Sequence, residues 1–317
     1  MNKRIVRIIS IVAGVILLSF LIRFVVVKLS DSDNTTQPRS LKTLNLRESP
    51  KLKQARELLQ SGEKAEAVTN LTKIIETSFG SQDAYRSLLI LGDTYKNDGN
   101  LLLAKDAYLS IINEYYQYCN YSDIQNKLSE LNLLVLFSKI PTPNSEIYTV
   151  APGNSLARIA KRYSTTVELI KKANGLKNDL IIPGMRLKVQ KAPFSMIVDK
   201  SQNTLTLLIG DEVVKTYTVA TGKNNSTPVG SFKIKDKLID PVWYNQGAVV
   251  SPEASENVLG TRWLGITTDI PGYGIHGTTD PESIGYQATE GCVRLKNQDV
   301  EELFDIVPAG IEITIVD

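Results

Sequence analysis

The spacing of apolar residues changes at residue 194, and this change divides the chain into parts that must fold differently. From that point apolar and polar residues alternate, as in SMIVDKSQNTLTLLIGDEVVKTYTVATG, which predicts strands joined by tight turns. A last strand is predicted at 311–315, and one short helix over 297–307 with Asn297 as its N-cap. Residues 194–317 are therefore predicted to form a mainly-β, sandwich-like domain.

The first 29 residues contain an apolar run over 8–27 that is interrupted only by two serines and Arg23. A run of this length can cross a bilayer as a helix. No small-residue cleavage pattern follows it, so residues 1–29 are predicted to be an uncleaved signal-anchor transmembrane helix. A buried core helix is the alternative. Basic residues stand on both sides of the run, so charge alone does not fix its orientation. A cytoplasmic N-terminus is expected because the substrate of the later domains is expected outside the cytoplasm.

Residues 30–50 are polar and lack apolar periodicity, which predicts a flexible linker. Residues 51–140 have helical spacing, and two sections within them resemble each other at an offset of thirty-seven residues. The second section, LGDTYKNDGNLLLAKDAY, resembles a tetratricopeptide unit. This TPR-like α-helical region is expected either to dock a protein partner or to hold the later domains away from the membrane.

Residues 147–190 form the next predicted unit, after a proline-rich break in the helical pattern. A short strand is followed by two helices, capped by Ser155 and Thr166, and by a closing strand. This order resembles the LysM module, a small βααβ domain that binds glycans containing N-acetylglucosamine. The resemblance places the following residues in the sugar groove: Gly153, Asn154, Ser155, Leu156, Leu180, Ile181, Ile182 and Pro183. The alternative is a module kept for packing, with a degraded groove.

The chain has a single histidine, His276, and one of its two cysteines, Cys292, follows it by sixteen residues. A thiol is a good nucleophile only as thiolate, and a neighbouring imidazole is the usual means of forming one at neutral pH. Glycines lie between and beside the two residues, so tight turns can bring the side chains together. The other cysteine, Cys119, lies among aromatic residues and is expected to be a buried, unreactive thiol.

The segment around these two residues resembles the catalytic motif of the L,D-transpeptidases, the YkuD-like family. That motif is a histidine, about fifteen residues, and then Ser/Thr-His-Gly-Cys-x-Arg; here residues 289–294 read TEGCVR. The resemblance covers 194–317 and implies Cys292 as nucleophile and His276 as general base and acid. It further implies that the Gly277 carbonyl orients the imidazole, that the Gly291 and Cys292 amides bind the oxyanion, and that Arg294 holds a substrate carboxylate. Substrate contacts are also expected from Tyr273, Thr289 and Glu290.

Glu290 departs from the family pattern, because a second histidine usually stands at this position. A carboxylate beside the nucleophile should raise the pKa of the thiol and disfavour thiolate. The same carboxylate could instead stabilise a protonated His276 and so favour a thiolate–imidazolium pair. We expect Glu290 to be tolerated in an active enzyme.

The resemblance implies transpeptidation between peptidoglycan stem peptides, without a cofactor, and acylation of the cysteine by carbapenems. Two alternatives remain: an L,D-carboxypeptidase in which water accepts the same thioester, and a non-catalytic scaffold that binds the cell wall. The expected partners are peptidoglycan and the cytoplasmic membrane, with the catalytic domain outside the cytoplasm. The 36 basic and 34 acidic residues predict no nucleic-acid surface, and one histidine with two distant cysteines predicts no metal site.

Overall fold

The computed structural model describes residues 48–245, 247–269 and 271–317. The helices are α1 Pro50–Gln60, α2 Lys64–Thr77, α3 Gln82–Asn97, α4 Leu101–Glu114, α5 Tyr121–Leu136, α6 Leu156–Arg162, α7 Val167–Asn174 and α8 Asn297–Ile306. The strands are β1 Ser145–Thr149, β2 Arg186–Gln190, β3 Phe194–Asp199, β4 Thr204–Ile209, β5 Glu212–Thr218, β6 Thr221–Gly222, β7 Gly230–Ile239, β8 Trp243–Asn245, β9 Ala248–Val250, β10 Arg262–Ile266, β11 Gly274–His276, β12 Gln287–Thr289, β13 Val293–Arg294 and β14 Glu312–Val316.

The predicted transmembrane helix at 1–29 and nearly all of the predicted linker lie outside the described residues. Among the residues that are described, no helix combines the length and the apolar character that crossing a bilayer requires. The membrane anchor therefore stays a prediction.

Helices α1 to α5 form the helical region that the apolar spacing predicts. Leu52, Leu71 and Leu91 are buried together in its first part, and Tyr108 and Leu131 belong to the cluster in its second part. Gly92 permits the close packing of α3 on α4, since a Cβ there would lie 2.5 Å from the Tyr108 ring. The general helical prediction is confirmed, whereas the tetratricopeptide resemblance stays a prediction.

The next unit has the predicted βααβ order. Strands β1 and β2 pair antiparallel, and α6 and α7 lie between them in the chain. The predicted caps are confirmed: the Ser155 hydroxyl accepts from the Arg158 N–H, and the Thr166 hydroxyl accepts from the Leu169 N–H. Helix α7 ends at Asn174 and is capped by Gly175, whose φ of 67° is a left-handed conformation that glycine adopts without strain.

The C-terminal domain is mainly β, as predicted, with eight strands in the order β13-β11-β10-β7-β14-β3-β4-β5. Strand β7 belongs to two ladders, because its first residues pair with β14 and its later residues pair with β10. Such a strand turns the corner between the two faces of a sandwich. Side chains from both ladders, such as Met196 and Ile275, share one apolar core with Leu303 of α8. Helix α8 begins at Asn297 with Lys296 as its N-cap, so the predicted cap at Asn297 is wrong by one residue.

The helical region is joined directly to the β domain through α5 and the edge strand β5. The Asn132 amide donates to the carbonyl oxygens of Val213 and Val214 at 2.9 and 3.2 Å. An edge strand exposes unpaired backbone groups, and these two contacts satisfy a pair of them. Lys105 of α4 adds an ion pair to Glu212 at the start of β5.

The βααβ unit is held between its two neighbours. On one side the Lys188 ammonium, 3% exposed, donates to the carbonyl oxygens of Val135 and Ser138 at 2.6 and 2.9 Å and so caps the end of α5. On the other side Thr166 donates to the Asp305 carbonyl oxygen, and the Lys172 ammonium lies 2.7 Å from the Asp305 carboxylate. Residues 49–317 thereby form one compact unit.

Candidate active site

The candidate base lies on β11, and the candidate nucleophile immediately precedes the neighbouring strand β13. Strand β11 pairs in parallel with β13, with His276 opposite Arg294, and Cys292 stands two residues before Arg294. Residues opposite each other, or two apart on one strand, share a face of the sheet. His276 and Arg294 therefore face the same side, and Cys292 lies in the bend that leads into β13. The Arg294 charge acts on both His276 and Cys292, and the catalytic roles of these two residues stay predictions.

The imidazole of His276 is held in one tautomer by the backbone. Its Nδ1 lies 2.6 Å from the Gly277 carbonyl oxygen, which can only accept, so Nδ1 carries the proton and Nε2 is the free base. The ring is 3% exposed and stacks on Trp263 at 6.1 Å between centroids. Burial lowers the pKa of His276 to about 4; backbone hydrogen bonding to Gly277 and to Leu259 opposes this shift, and the Arg294 charge adds to it. The imidazole is therefore neutral at physiological pH.

Cys292 is a free thiol whose Sγ lies 3.4 Å from the Gly272 carbonyl oxygen. Burial raises the pKa of Cys292 above its ordinary value of 9.0, although a backbone hydrogen bond at Gly274 and the Arg294 charge oppose the shift. A thiol with a raised pKa beside an imidazole with a lowered pKa stays protonated. The resting pair is accordingly neutral thiol and neutral imidazole.

The turn that presents Cys292 is closed by Thr289. Its buried hydroxyl donates to the Cys292 carbonyl oxygen at 2.6 Å and accepts from the Gly291 N–H at 3.1 Å. Gly291 has a φ of 128°, and a Cβ there would lie 2.6 Å from the Tyr273 ring. These contacts give Thr289 a positioning role and occupy the Gly291 amide in this structure. The predicted substrate contacts of Thr289 and Tyr273 stay predictions.

Arg294 is held beside the pair by the loop that follows β11. Its Nη1 donates to the Ser283 hydroxyl at 2.9 Å and lies 3.9 Å from the Asp280 carboxylate. The Nε atom is buried and makes no hydrogen bond within the described residues. The predicted contact of Arg294 with a substrate carboxylate stays a prediction.

Comparison with known proteins agrees with this geometry. Residues 193–316 match the family model of the YkuD L,D-transpeptidase catalytic domain, and residues 148–190 match that of the LysM domain. The chain is 35% identical over 178 residues to the YkuD protein of Bacillus licheniformis, spanning 53% of this chain and 98% of that protein. The chain belongs to the YkuD family of L,D-transpeptidases.

Two Bacillus subtilis proteins of this family show similar agreement. The L,D-transpeptidase is 34% identical to the YkuD protein over 53% of its own length and 97% of that protein. It is 36% identical to the YqjB protein over 38% of its own length and 70% of that protein. The family assignment makes the chain an enzyme, and its LysM and catalytic domains together support binding to peptidoglycan.

Glu290, the departure from the family motif of the L,D-transpeptidases, is exposed and forms an ion pair. Its side chain is 93% exposed and lies 3.3 Å from the Lys223 ammonium. The shifts at His276 and Cys292 arise from burial, backbone hydrogen bonds and Arg294, with no contribution from Glu290. Neither electrostatic effect considered for this carboxylate operates in the structure.

Asn297 is a site residue that sequence reasoning assigned only as a helix cap. Its Oδ1 accepts from the N–H groups of Thr278 and Thr261 at 2.9 and 3.3 Å. Gly260 and Gly277 leave room for this oxygen, since a Cβ at either would lie 2.2 Å from it. In the sequence, only these two glycines indicate a close approach at this place, and they do not show that Asn297 makes it.

The two predicted segments of the LysM groove lie side by side. Backbone hydrogen bonds join Val150 to Gly184 and Met185 and so bring the β1–α6 loop against the α7–β2 loop. Leu180 and Ile182 are 72% and 58% exposed, and Gly153, Ser155 and Pro183 are exposed as well. Two further predicted residues, Asn154 and Ile181, are half-buried. The structure corrects the prediction for Leu156, whose side chain is 2% exposed in the core of the module.

Within the described ranges, no three His, Cys, Asp or Glu side chains are grouped as ligands of a metal ion. Cys119 lies far from the pair in the chain, half-buried against the helical core, and burial raises its pKa.

Proposed function

We propose that this L,D-transpeptidase cross-links peptidoglycan stem peptides through a thioester on Cys292. The observation that supports this most directly is that His276 lies on β11, that Cys292 immediately precedes the paired strand β13, and that Nδ1 of the imidazole is bound by the Gly277 carbonyl oxygen. A buried, neutral base beside a thiol is the arrangement that general-base activation requires.

The first half-reaction forms the acyl-enzyme. Nε2 of His276 takes the Sγ proton as the sulfur attacks the carbonyl carbon between an L-centre and the terminal D-residue of a tetrapeptide stem. The C–N bond then breaks, and the imidazolium returns its proton to the departing amine. Because both groups begin neutral, proton transfer accompanies attack and does not precede it.

In the second half-reaction an amine of a neighbouring stem attacks the thioester, and the thiol is regenerated. The Cys292 amide is the oxyanion donor we assign, since the Gly291 amide already donates to Thr289. Arg294 is assigned to a stem carboxylate, because a guanidinium carries several donors that suit such a group.

Mass spectrometry of the full-length protein with a carbapenem or a tetrapeptide stem tests the acyl-enzyme. The expected result is one adduct on Cys292 in the natural protein and in Glu290→His, and none in Cys292→Ala. An adduct in Glu290→His alone would show that the natural site is inactive and would leave a wall-binding scaffold. The exposed position of Glu290 argues against that outcome.

The acceptor is decided by the products. Cross-linked muropeptide dimers indicate transpeptidation, and shortened monomers indicate that water accepts the thioester, as in an L,D-carboxypeptidase. Both outcomes share the thioester, so this measurement is separate from the test of Cys292.

We also propose that the exposed LysM groove binds the glycan strand, and that residues 1–29 anchor the protein in the cytoplasmic membrane with its catalytic domain outside. The hydrogen bonds from α5 to β5 indicate that the helical region is fixed to the catalytic domain and is not a flexible spacer. A protein partner for these helices remains a second proposal, tested by crosslinking in growing cells.

A further inference from the structure

One planar peptide group joins His276 to Asn297. The carbonyl of Gly277 accepts from His276 Nδ1 at 2.6 Å, and the N–H of the same peptide group, that of Thr278, donates to Asn297 Oδ1 at 2.9 Å. A peptide group is rigid, so its carbonyl and its N–H turn together. Whatever fixes the Thr278 N–H therefore also fixes the carbonyl that selects the tautomer of the imidazole.

The same Asn297 oxygen also holds the adjacent strand. It accepts from the Thr261 N–H at 3.3 Å. The next residue, Arg262, begins β10, and its carbonyl oxygen accepts from the Gly277 N–H at 3.2 Å. The two peptide groups that flank Gly277 are thus both tied to this neighbouring segment. Asn297 is itself anchored as the first residue of α8, whose Val300, Leu303 and Ile306 are buried in the domain core.

We propose that Asn297 is a positioning residue for the general base: through the Gly277–Thr278 peptide it keeps the proton on Nδ1 of His276 and leaves Nε2 free. This proposal deepens the proposed function, because it assigns a residue that prepares His276 for proton abstraction. The glycines at 260 and 277 are required for it, since any side chain there would occupy the position of the Asn297 oxygen.

Loss of the oxygen has a defined consequence. In Asn297→Ala the Thr278 N–H has no acceptor, so the peptide can turn and its carbonyl leaves Nδ1. The imidazole can then place its proton on Nε2, and a protonated Nε2 cannot take the Sγ proton. We expect the rate of acylation by a carbapenem at saturation to fall about ten- to a hundred-fold, the range typical of a misplaced catalytic group, while the concentration for half-saturation changes little.

The single histidine makes the tautomer directly observable. Long-range ¹H–¹⁵N NMR of the full chain, labelled with ¹⁵N-histidine, reports one imidazole and shows which nitrogen is protonated. The natural protein and Asn297→Asp, which keeps an acceptor oxygen, are expected to show Nδ1–H. Asn297→Ala and Asn297→Ser are expected to show a mixture or Nε2–H.

Asn174→Ala is the matched control. Asn174 is 4% exposed and makes a comparable set of backbone contacts inside the LysM module: it donates to the Ile170 and Lys188 carbonyl oxygens and accepts from the Lys188 N–H. Its replacement removes as many hydrogen bonds but should leave both the tautomer and the acylation rate unchanged. A general loss of stability would therefore not imitate the predicted effect.

Retention of Nδ1–H and of the acylation rate in both Asn297→Ala and Asn297→Ser would overturn the proposal, and so would an equal effect in the Asn174 control. If Asn297→Ala does not fold, Asn297→Ser and Asn297→Asp supply the same comparison. The NMR measurement needs no turnover, so it tests Asn297 even if the natural protein forms no acyl-enzyme. Absence of that adduct would count against the proposed function alone.

Discussion

The reactivity of Cys292 should rise with pH and show no plateau near neutrality. Burial raises the pKa of the Cys292 thiol and lowers the pKa of His276 to about 4. The neutral thiol and the neutral imidazole are therefore the favoured resting forms, and the thiolate is a minor species at pH 7.

Alkylation by iodoacetamide measures this thiolate. The assay follows the Cys292 adduct by mass spectrometry from pH 5 to 9.5, in a Cys119→Ser background that removes the other thiol. The expected rate increases about tenfold per pH unit between pH 5 and 8, because only the deprotonated sulfur reacts. A rate that is constant between pH 5 and 8 would show a preformed ion pair and refute the mechanism derived above.

Glu290→Gln is the informative companion variant. Because the carboxylate is almost fully exposed and paired with Lys223, its removal should change the alkylation rate less than about twofold. A change of tenfold or more would mean that Glu290 turns toward the sulfur in solution.

Three further predictions follow from single contacts. Gly291→Ala should nearly abolish acylation by a carbapenem, since it strains a positive φ by about 1–3 kcal/mol and places a methyl group against the Tyr273 ring; an adduct at the natural rate would contradict this. Lys188→Met should lower the free energy of unfolding, measured by urea denaturation, by about 1–3 kcal/mol, because the carbonyl groups at the end of α5 lose their donor. The control Lys191→Met, at an exposed position, should leave the free energy of unfolding unchanged. Leu180→Ser with Ile182→Ser should abolish pelleting of a Cys292→Ala protein with sacculi, and unchanged pelleting would place glycan binding elsewhere.

Local patterns predicted the elements well. The change from helical to alternating spacing marks the β domain, and Ser155 and Thr166 cap their helices because capping depends on residues only three positions apart. The placement of His276 and Cys292 on adjacent segments of the sheet was also accessible, since the motif encodes both residues and the glycines between them.

Contacts between distant segments were not accessible. Asn132 reaches a strand eighty-one residues later, and Lys188 caps a helix that ends about fifty residues earlier. Every residue carries the same backbone groups, so the partner of a side chain that binds the backbone cannot be recognised from its residue type. The effect of Glu290 was open for the same reason, because its direction depends on Lys223, sixty-seven residues away.

Helix α8 contacts the peptide group next to His276 at one end and the LysM module at the other. Asn297 at its first turn secures the peptide beside His276, and Asp305 near its last turn receives Thr166 and Lys172. Ten residues of α-helix span about 15 Å, so α8 sets a fixed distance between the LysM module and the segment that supports His276. If the module binds a glycan strand and the enzyme joins stem peptides as proposed, this fixed distance would determine which stems along a bound strand reach Cys292.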